Sequence, residues 1–335
     1  MNLNLSFNDH TIQVISEEGA LLKKIAEEFH FFVTANDLPS DTLLNLYSAS
    51  SPEIPSIVAT KILENCVVYS LGNLKYVDYF GEALTVQDEL LAKTDIYSEN
   101  PDRLYELAFL TIHSLLGQHL DSQGLCRIHA LAVSYQNKNA IIMLPSKGGK
   151  STLLCELLKN PEIKIISDDM PLVDIKGHIH PFPSKISLQV PPESGVLASL
   201  EWREFKRAHY PPKWTASLGQ LNNRIDRYSH KNKNILIAGY RISQGKSFIL
   251  KVSAFKMFSP LFEHMIMGMG LPQILEIFLN FRASDAIKLL RHALMRSICA
   301  FQLARKSENY SFYMGPSINL NAQIIMDILN DQTIT

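Results

Sequence analysis

The sequence predicts an α/β fold built around one large core, and composition, alternation and one local run carry that prediction. Hydrophobic residues make up 46% of the 335-residue chain and charged residues 19%, the make-up of a folding chain and not of a disordered one. Short β-rich runs alternate with segments whose apolar positions recur at helical spacing. From 140 to 169 the chain reads strand, glycine loop, helix, strand, acid pair, an order that belongs to α/β sheets. At this length two modules are expected, a small α+β module over 1–100 and a larger domain over 101–335 with a helical C-terminal part.

Residues 3–16 read as two short strands around Asn8-Asp9-His10, and the run from Gly19 to Phe29 has helical periodicity. Cys66-Val-Val-Tyr and Tyr76-Val-Asp-Tyr-Phe read as strands among Pro-containing loops. Asn100-Pro101-Asp102 opens a long helix whose apolar pattern runs from Leu104 to Leu120. The larger domain then begins with a strand over Arg127–Tyr135, a turn at Gln136–Asn139 and a strand over Ala140–Leu144. Residues 192–232, rich in proline, basic and aromatic residues, read either as a substrate-facing loop or as an ordinary exposed connection. Strands follow at Ile235 and Phe248. Helices are expected over Pro272–Phe281 and Ala286–Arg305, a late strand near Tyr310 and a last helix from Asn321.

A formal net charge of -1 provides no global field for nucleic acid or an anionic membrane, so an anion site has to be local. Cys66, Cys126, Cys155 and Cys299 are scattered without CxxC spacing, which argues against a zinc module or a disulfide framework. No apolar stretch approaches the ~18 residues of a membrane span, and MNLNLSFNDH lacks the pattern of a signal peptide. A cytoplasmic protein is therefore expected. The sequence leaves assembly open, a homo-oligomer included.

The run Pro145-Ser146-Lys147-Gly148-Gly149-Lys150-Ser151-Thr152 joins the strand to a helical run over Leu153–Lys159. A phosphate loop needs backbone N–H groups wrapped round phosphate oxygens at a helix N-terminus, with Gly-Lys-Ser/Thr at its end. Gly148 and Gly149 let the backbone approach closely, Lys150 reaches the β- and γ-phosphates, and Ser151 ligates Mg²⁺. Ser146 and Thr152 flank the same loop. Leu144 stands where the pattern has its first glycine. A second Gly-Lys-Ser at Gly245–Ser247 has no amphipathic helix after it and reads as a hairpin turn.

The strand Lys164–Ser167 ends in Asp168-Asp169. Two aspartates after a strand usually just open a loop. Beside a glycine loop they can instead divide metal holding from deprotonation of an acceptor, because in a parallel sheet both strand ends emerge on one edge. His129, one strand earlier, is as readily structural as functional. Cys126 reads as core filling, and Lys185, Arg224, Arg227 and Lys231 read as solvated surface before charge-stabilising groups.

The combination His129-Ala130, Ser146–Leu153, Ser167-Asp168-Asp169 and His180-Pro-Phe-Pro183 resembles the HPr kinase/phosphorylase catalytic domain and its looser relatives, over roughly residues 110–260. That resemblance implies a P-loop kinase core of mixed sheet, shared with phosphoenolpyruvate carboxykinase. It also implies roles by position: Lys150 and Ser151 on phosphate and Mg²⁺, Asp168 as base toward a serine hydroxyl, Asp169 assisting the metal, and His129 as the histidine that precedes the glycine loop. Lys147 replaces a further loop glycine, and the glycine-rich segment that follows the acid pair in HPr kinases has no counterpart, so HPr itself is not the expected acceptor. The expectation is an ATP- and Mg²⁺-dependent kinase that acts on a hydroxyl of a peptide, protein or small molecule. Its alternative is a nucleotide-binding scaffold with weak or no transfer.

Overall fold

The computed structural model describes residues 1–35, 39–208, 210–271 and 283–332. Contacts divide these into two compact units. One comprises Met1–His119, Glu204–Lys213 and 283–289, the other Leu120–Arg203, Trp214–Leu271 and 290–332.

The first unit holds a nine-stranded sheet, counted among the described residues: β1 (Asn2–Phe7), β2 (His10–Ser16), β3 (Val33–Thr34), β4 (Thr42–Tyr47), β5 (Ala59–Ile62), β6 (Val67–Leu71), β7 (Leu74–Asp78), β8 (Leu84–Asp88) and β9 (Lys93–Tyr97) in the order β3-β1-β2-β4-β9-β8-β7-β6-β5. β1 and β2 are the two expected strands, paired antiparallel and joined at Asn8, whose φ of 58° asparagine tolerates better than most residues. Helix α1 (Gly19–Glu28) buries Leu21, Leu22 and Ile25. A second helix, α2 (Pro101–Ser122), starts where Asn100 Oδ1 accepts from the amides of Asp102 and Arg103. The Phe29 ring packs at a tilt against those of Phe109 and His113, joining α2 to the core of this unit.

The second unit carries the glycine loop. Its strands are β10 (Leu125–Arg127), β11 (Leu131–Tyr135), β12 (Lys138–Met143), β13 (Lys164–Ser167), β14 (Leu172–Asp174), β15 (Ile179–His180), β16 (Lys185–Leu188), β19 (Lys233–Arg241), β20 (Phe248–Lys251) and β21 (Glu308–Met314); β17 (Arg203–Arg207) and β18 (Tyr210–Ser217), in the connection before β19, are divided between this unit and the first. The stretch 192–232 is thus not simply a loop. The main sheet runs β13-β11-β12-β19-β21-β20. β11 is antiparallel to both of its neighbours, and β12, β19 and β21 are parallel to one another. β12 and β13 consequently point the same way with an opposed strand between them, and their C-terminal ends share one edge of a mixed sheet. A mixed sheet is what the family resemblance implies, and the two strand ends meet as they would in a parallel sheet because β12 and β13 run the same way.

Two further expectations change, and one falls outside the described residues. The strand expected over Arg127–Tyr135 breaks at 128–130, where the amides of Ile128, His129 and Ala130 donate to the carbonyls of Pro171, His264 and Asp169. Gly245–Ser247 is no hairpin, because β21 lies between β19 and β20; Ser247 Oγ instead donates to Asn321 Oδ1 and accepts from the Gly315 amide. The helix expected over Pro272–Phe281 lies outside the described residues, while those after it run Ala283–Lys306 and Ile318–Leu329. Under the sheet, Ile128, Ala130, Ala132, Ile141 and Met143 pack with Met257, Leu261, Met265, Leu303 and Ala304. No helix among the described residues is long and apolar enough to cross a membrane.

Candidate active site

β12 delivers the chain to Leu144, and helix α3 (Lys150–Leu157) receives it after the loop. Gly149 is the N-cap of α3 at φ 98°, a backbone conformation glycine adopts without cost. A Cβ on Gly148 would lie 2.8 Å from the Pro145 carbonyl oxygen and 3.1 Å from Leu144 Cβ. The loop is therefore folded too tightly for a side chain there. Leu144 is fully buried, and a Cβ on Gly239 of β19 would collide with its Cδ2. Leu144 fits at this point because Gly239 on the adjacent parallel strand makes room for its side chain.

α3 begins with N–H groups that have no partner inside the helix, so its start faces anions favourably. Lys150, 7% exposed, lies along this loop. Its ammonium donates to His129 Nε2 at 2.7 Å and to the Leu144 carbonyl at 3.2 Å, and sits 3.4 Å from Asp169 Oδ1. Ser151 donates to Asp168 Oδ2 at 2.9 Å, and the Ser187 amide of β16 reaches the same oxygen at 3.3 Å. Ser146 and Thr152 are exposed on the loop and the first helical turn.

Asp168 is only 4% exposed, and its Oδ1 has no hydrogen-bond partner among the described residues. Burial is the main cause that pushes its carboxyl up to about 7, the charge of Asp169 adding to it against the Ser151 hydrogen bond. Asp169 has half its side chain exposed and places Oδ1 3.1 Å from His129 Nε2. One carboxylate is dry and held on one oxygen, and its neighbour is wet and faces a cation.

The fold brings together Lys150, Ser151, Asp168, Asp169 and His129, every chemistry-bearing residue singled out in the sequence around the loop. His180-Pro-Phe-Pro183 also lies beside β13, with the Phe182 amide and carbonyl bonded to Ile166 O and Ser167 Oγ, while the His180 ring pairs with Asp174. Cys126 is buried in the core. Arg224 is not surface charge: its guanidinium donates to the carbonyls of Leu158, Asn160 and Ile163 just past α3. Arg227 bonds Asn222 Oδ1 and Lys231 lies over the Tyr228 ring, both outside this cluster.

Two residues escaped the sequence reading. His264 places Nδ1 3.4 Å from His129 Nδ1. Arg241, at the end of β19, puts Nη1 3.4 Å from where a Cβ on Gly149 would be. Neither belongs to a local motif. Arg241 reaches the loop because β19 runs parallel to β12 and ends on the same edge, a pairing that no local sequence pattern displays.

Among the described residues, no group of three or more His, Cys, Asp or Glu side chains converges as a metal site. Magnesium that arrives with phosphates asks less of the protein, commonly one or two carboxylates besides water and phosphate oxygens. The Ser151 hydroxyl oxygen and the half-exposed Asp169 carboxylate suit such a hard cation, which leaves the buried Asp168 Oδ1 for a proton.

No protein-family model matches the chain, and a search of curated proteins finds none significantly similar to it. Fold and site together define a mixed α/β protein in which a strand–glycine loop–helix unit abuts a buried carboxylate.

Proposed function

We propose that this protein binds ATP with Mg²⁺ at the loop 144–151 and transfers the γ-phosphoryl group to a hydroxyl on a peptide, protein or small-molecule acceptor. The mixed sheet fits a P-loop core of the HPr kinase and phosphoenolpyruvate carboxykinase type, and a cytoplasmic protein fits the co-substrate. The observation that carries the reading is Asp168: buried, fixed on one oxygen by Ser151 and Ser187, open on the other, and pushed up to about 7. A general base works best with a pKa near the working pH.

In this mechanism Asp168 Oδ1 takes the acceptor's proton as the acceptor oxygen forms its bond to γ-phosphorus and the bond to the β,γ-bridging oxygen breaks. Gly148 and Gly149 admit the phosphates to the start of α3. Lys150 gives up a contact with His129 or Leu144 to meet them, and Ser151 with Asp169 would hold the Mg²⁺. Bound Mg²⁺ would neutralise charge on the transferred group. Most of the rate then comes from position and electrostatics.

A second reading, a nucleotide-binding scaffold without transfer, draws on Lys150, whose hydrogens are engaged by His129, Leu144 and Asp169. Thermal unfolding separates the cases. With Mg²⁺ and ATP at about a hundred times Kd, binding adds about 2.7 kcal/mol to stability, a rise expected to disappear in Lys150→Ala. Binding with phosphoryl transfer supports the kinase, and binding without it the scaffold. No rise at saturating ATP, ADP or GTP sinks both.

A further inference from the structure

We infer that His264 is a positioning residue: through its Nδ1 it holds His129 in the Nδ1–H tautomer, so that the His129 Nε2 lone pair cradles the Lys150 ammonium beside the glycine loop. The placement of Lys150 in phosphoryl transfer rests on the function proposed above. The pairing of the two histidines does not.

The argument starts at the shortest contact. Lys150 Nζ lies 2.7 Å from His129 Nε2. An ammonium has donors and no acceptor, so Nε2 must present its lone pair, and a neutral imidazole then carries its proton on Nδ1. That proton faces His264 Nδ1 at 3.4 Å. His264 must therefore accept at Nδ1 and keep its own proton on Nε2.

The surroundings enforce this pattern. His264 is 6% exposed. Burial first, then the neighbouring His129 and Lys150, push its imidazole down to about 4 and keep it a neutral acceptor. The same residue grips His129 through the backbone, its carbonyl accepting the His129 amide at 2.9 Å. Gly270, at φ 88°, closes against the ring, where a Cβ would collide with Cε1 and Nδ1 of His129. His129 cannot swing away from its partner.

The competing tautomer is also defined. Asp169 Oδ1, 3.1 Å from Nε2, would accept a proton placed there. An Nε2–H would point at the Lys150 ammonium and drive it out. Removing the acceptor at 264 leaves a buried Nδ1–H unpaired, which is unfavourable, and tips His129 toward Asp169.

The test is nitrogen-detected imidazole NMR on the full-length, nucleotide-free protein labelled at histidine, with His129→Asn to assign the signal. The wild type should show His129 protonated at Nδ1. His264→Leu should move the proton to Nε2, and His264→Asn, whose amide oxygen still accepts, should leave it at Nδ1. A wild-type His129 protonated at Nε2 overturns the inference. So does an unchanged Nδ1–H pattern in folded His264→Leu, or loss of that pattern in folded His264→Asn. Should the leucine variant fail to fold, the wild-type and asparagine spectra still decide. A wild type with the expected pattern that fails to bind Mg²⁺ and ATP would overturn the phosphoryl-transfer reading and leave the histidine pairing standing.

Discussion

Ser151 donates its hydroxyl hydrogen to Oδ2 of Asp168 across 2.9 Å, although 17 positions separate the two in sequence. The bond ties the first turn of α3 to the end of β13. It exists because β12 and β13 point the same way on either side of β11, so that the loop leaving one strand and the acid ending the other meet at one sheet edge. One oxygen of Asp168 is thereby fixed and the other left free. That asymmetry suits a group that must hold its position while taking a proton.

The first prediction concerns this carboxyl. Asp168→Asn keeps the shape and the contact to Ser151 and removes the base, so transfer should fall by about 10²–10⁴-fold while nucleotide binding persists. Stability supplies an independent check. The folded-state pKa is raised to about 7 from 3.8, so between those values the folded chain keeps a proton the unfolded chain has lost. Stability from this group is full below about pH 4, falls as pH rises toward 7 and stays lost above it. Urea midpoints should show Asp168→Asn more stable than wild type at about pH 8, the gap closing toward about pH 4.

The second prediction separates the two Gly-Lys-Ser sequences. Gly148→Ala forces a methyl group to 2.8 Å from the Pro145 carbonyl oxygen, a backbone atom that cannot step aside cheaply. It should cost about 1–3 kcal/mol and abolish the nucleotide-dependent rise in Tm. Gly245→Ala meets nothing within 4 Å and suffers only from its φ of 98°. It should cost about 1–2 kcal/mol and leave the nucleotide response intact.

The site is legible in the sequence to the extent that its chemistry is local. Phosphate binding at a helix start needs its residue types within a few positions, so Gly148–Thr152 declare themselves, and Asp168 follows once the next strand is found. His264 could not be found this way, because 135 positions separate it from His129 and no pattern joins them. Leu144 departs from the loop pattern for a reason no local run displays, the space that Gly239 leaves on the neighbouring strand. The break before β11 was hidden for a related reason: Ile128 and Ala130 are buried like strand residues, while their amides turn to Pro171 and Asp169.

The third prediction addresses Arg241. Its guanidinium reaches the mouth of the glycine loop from the end of β19, where incoming phosphate would add charge-assisted hydrogen bonds of about 1.5–3 kcal/mol. Arg241→Ala should weaken ATP binding roughly ten- to a hundredfold by that measure, read by calorimetry. Its exposure leaves the fold untouched by the change. An unaltered Kd would place Arg241 outside the nucleotide site.

The fourth prediction decides what Arg224 is for. Its guanidinium donates to Ile163 O at 3.0 Å and, through one nitrogen, to Asn160 O at 2.8 Å and Leu158 O at 3.2 Å. These carbonyls lie just beyond α3, where a helix runs out of internal donors and a cation is favoured. Partial exposure and shared geometry keep the three bonds from adding fully, so Arg224→Ala should cost about 2–3 kcal/mol, read as a lower urea midpoint. Arg224→Lys should recover only part, since an ammonium lacks the planar fork that spans separated carbonyls. The sequence alone also allowed Arg224 to stabilise transferred charge. That role requires the opposite pattern, transfer lost at unchanged stability, whereas an arginine that closes the end of the loop helix lowers stability first and affects transfer only as far as α3 loosens.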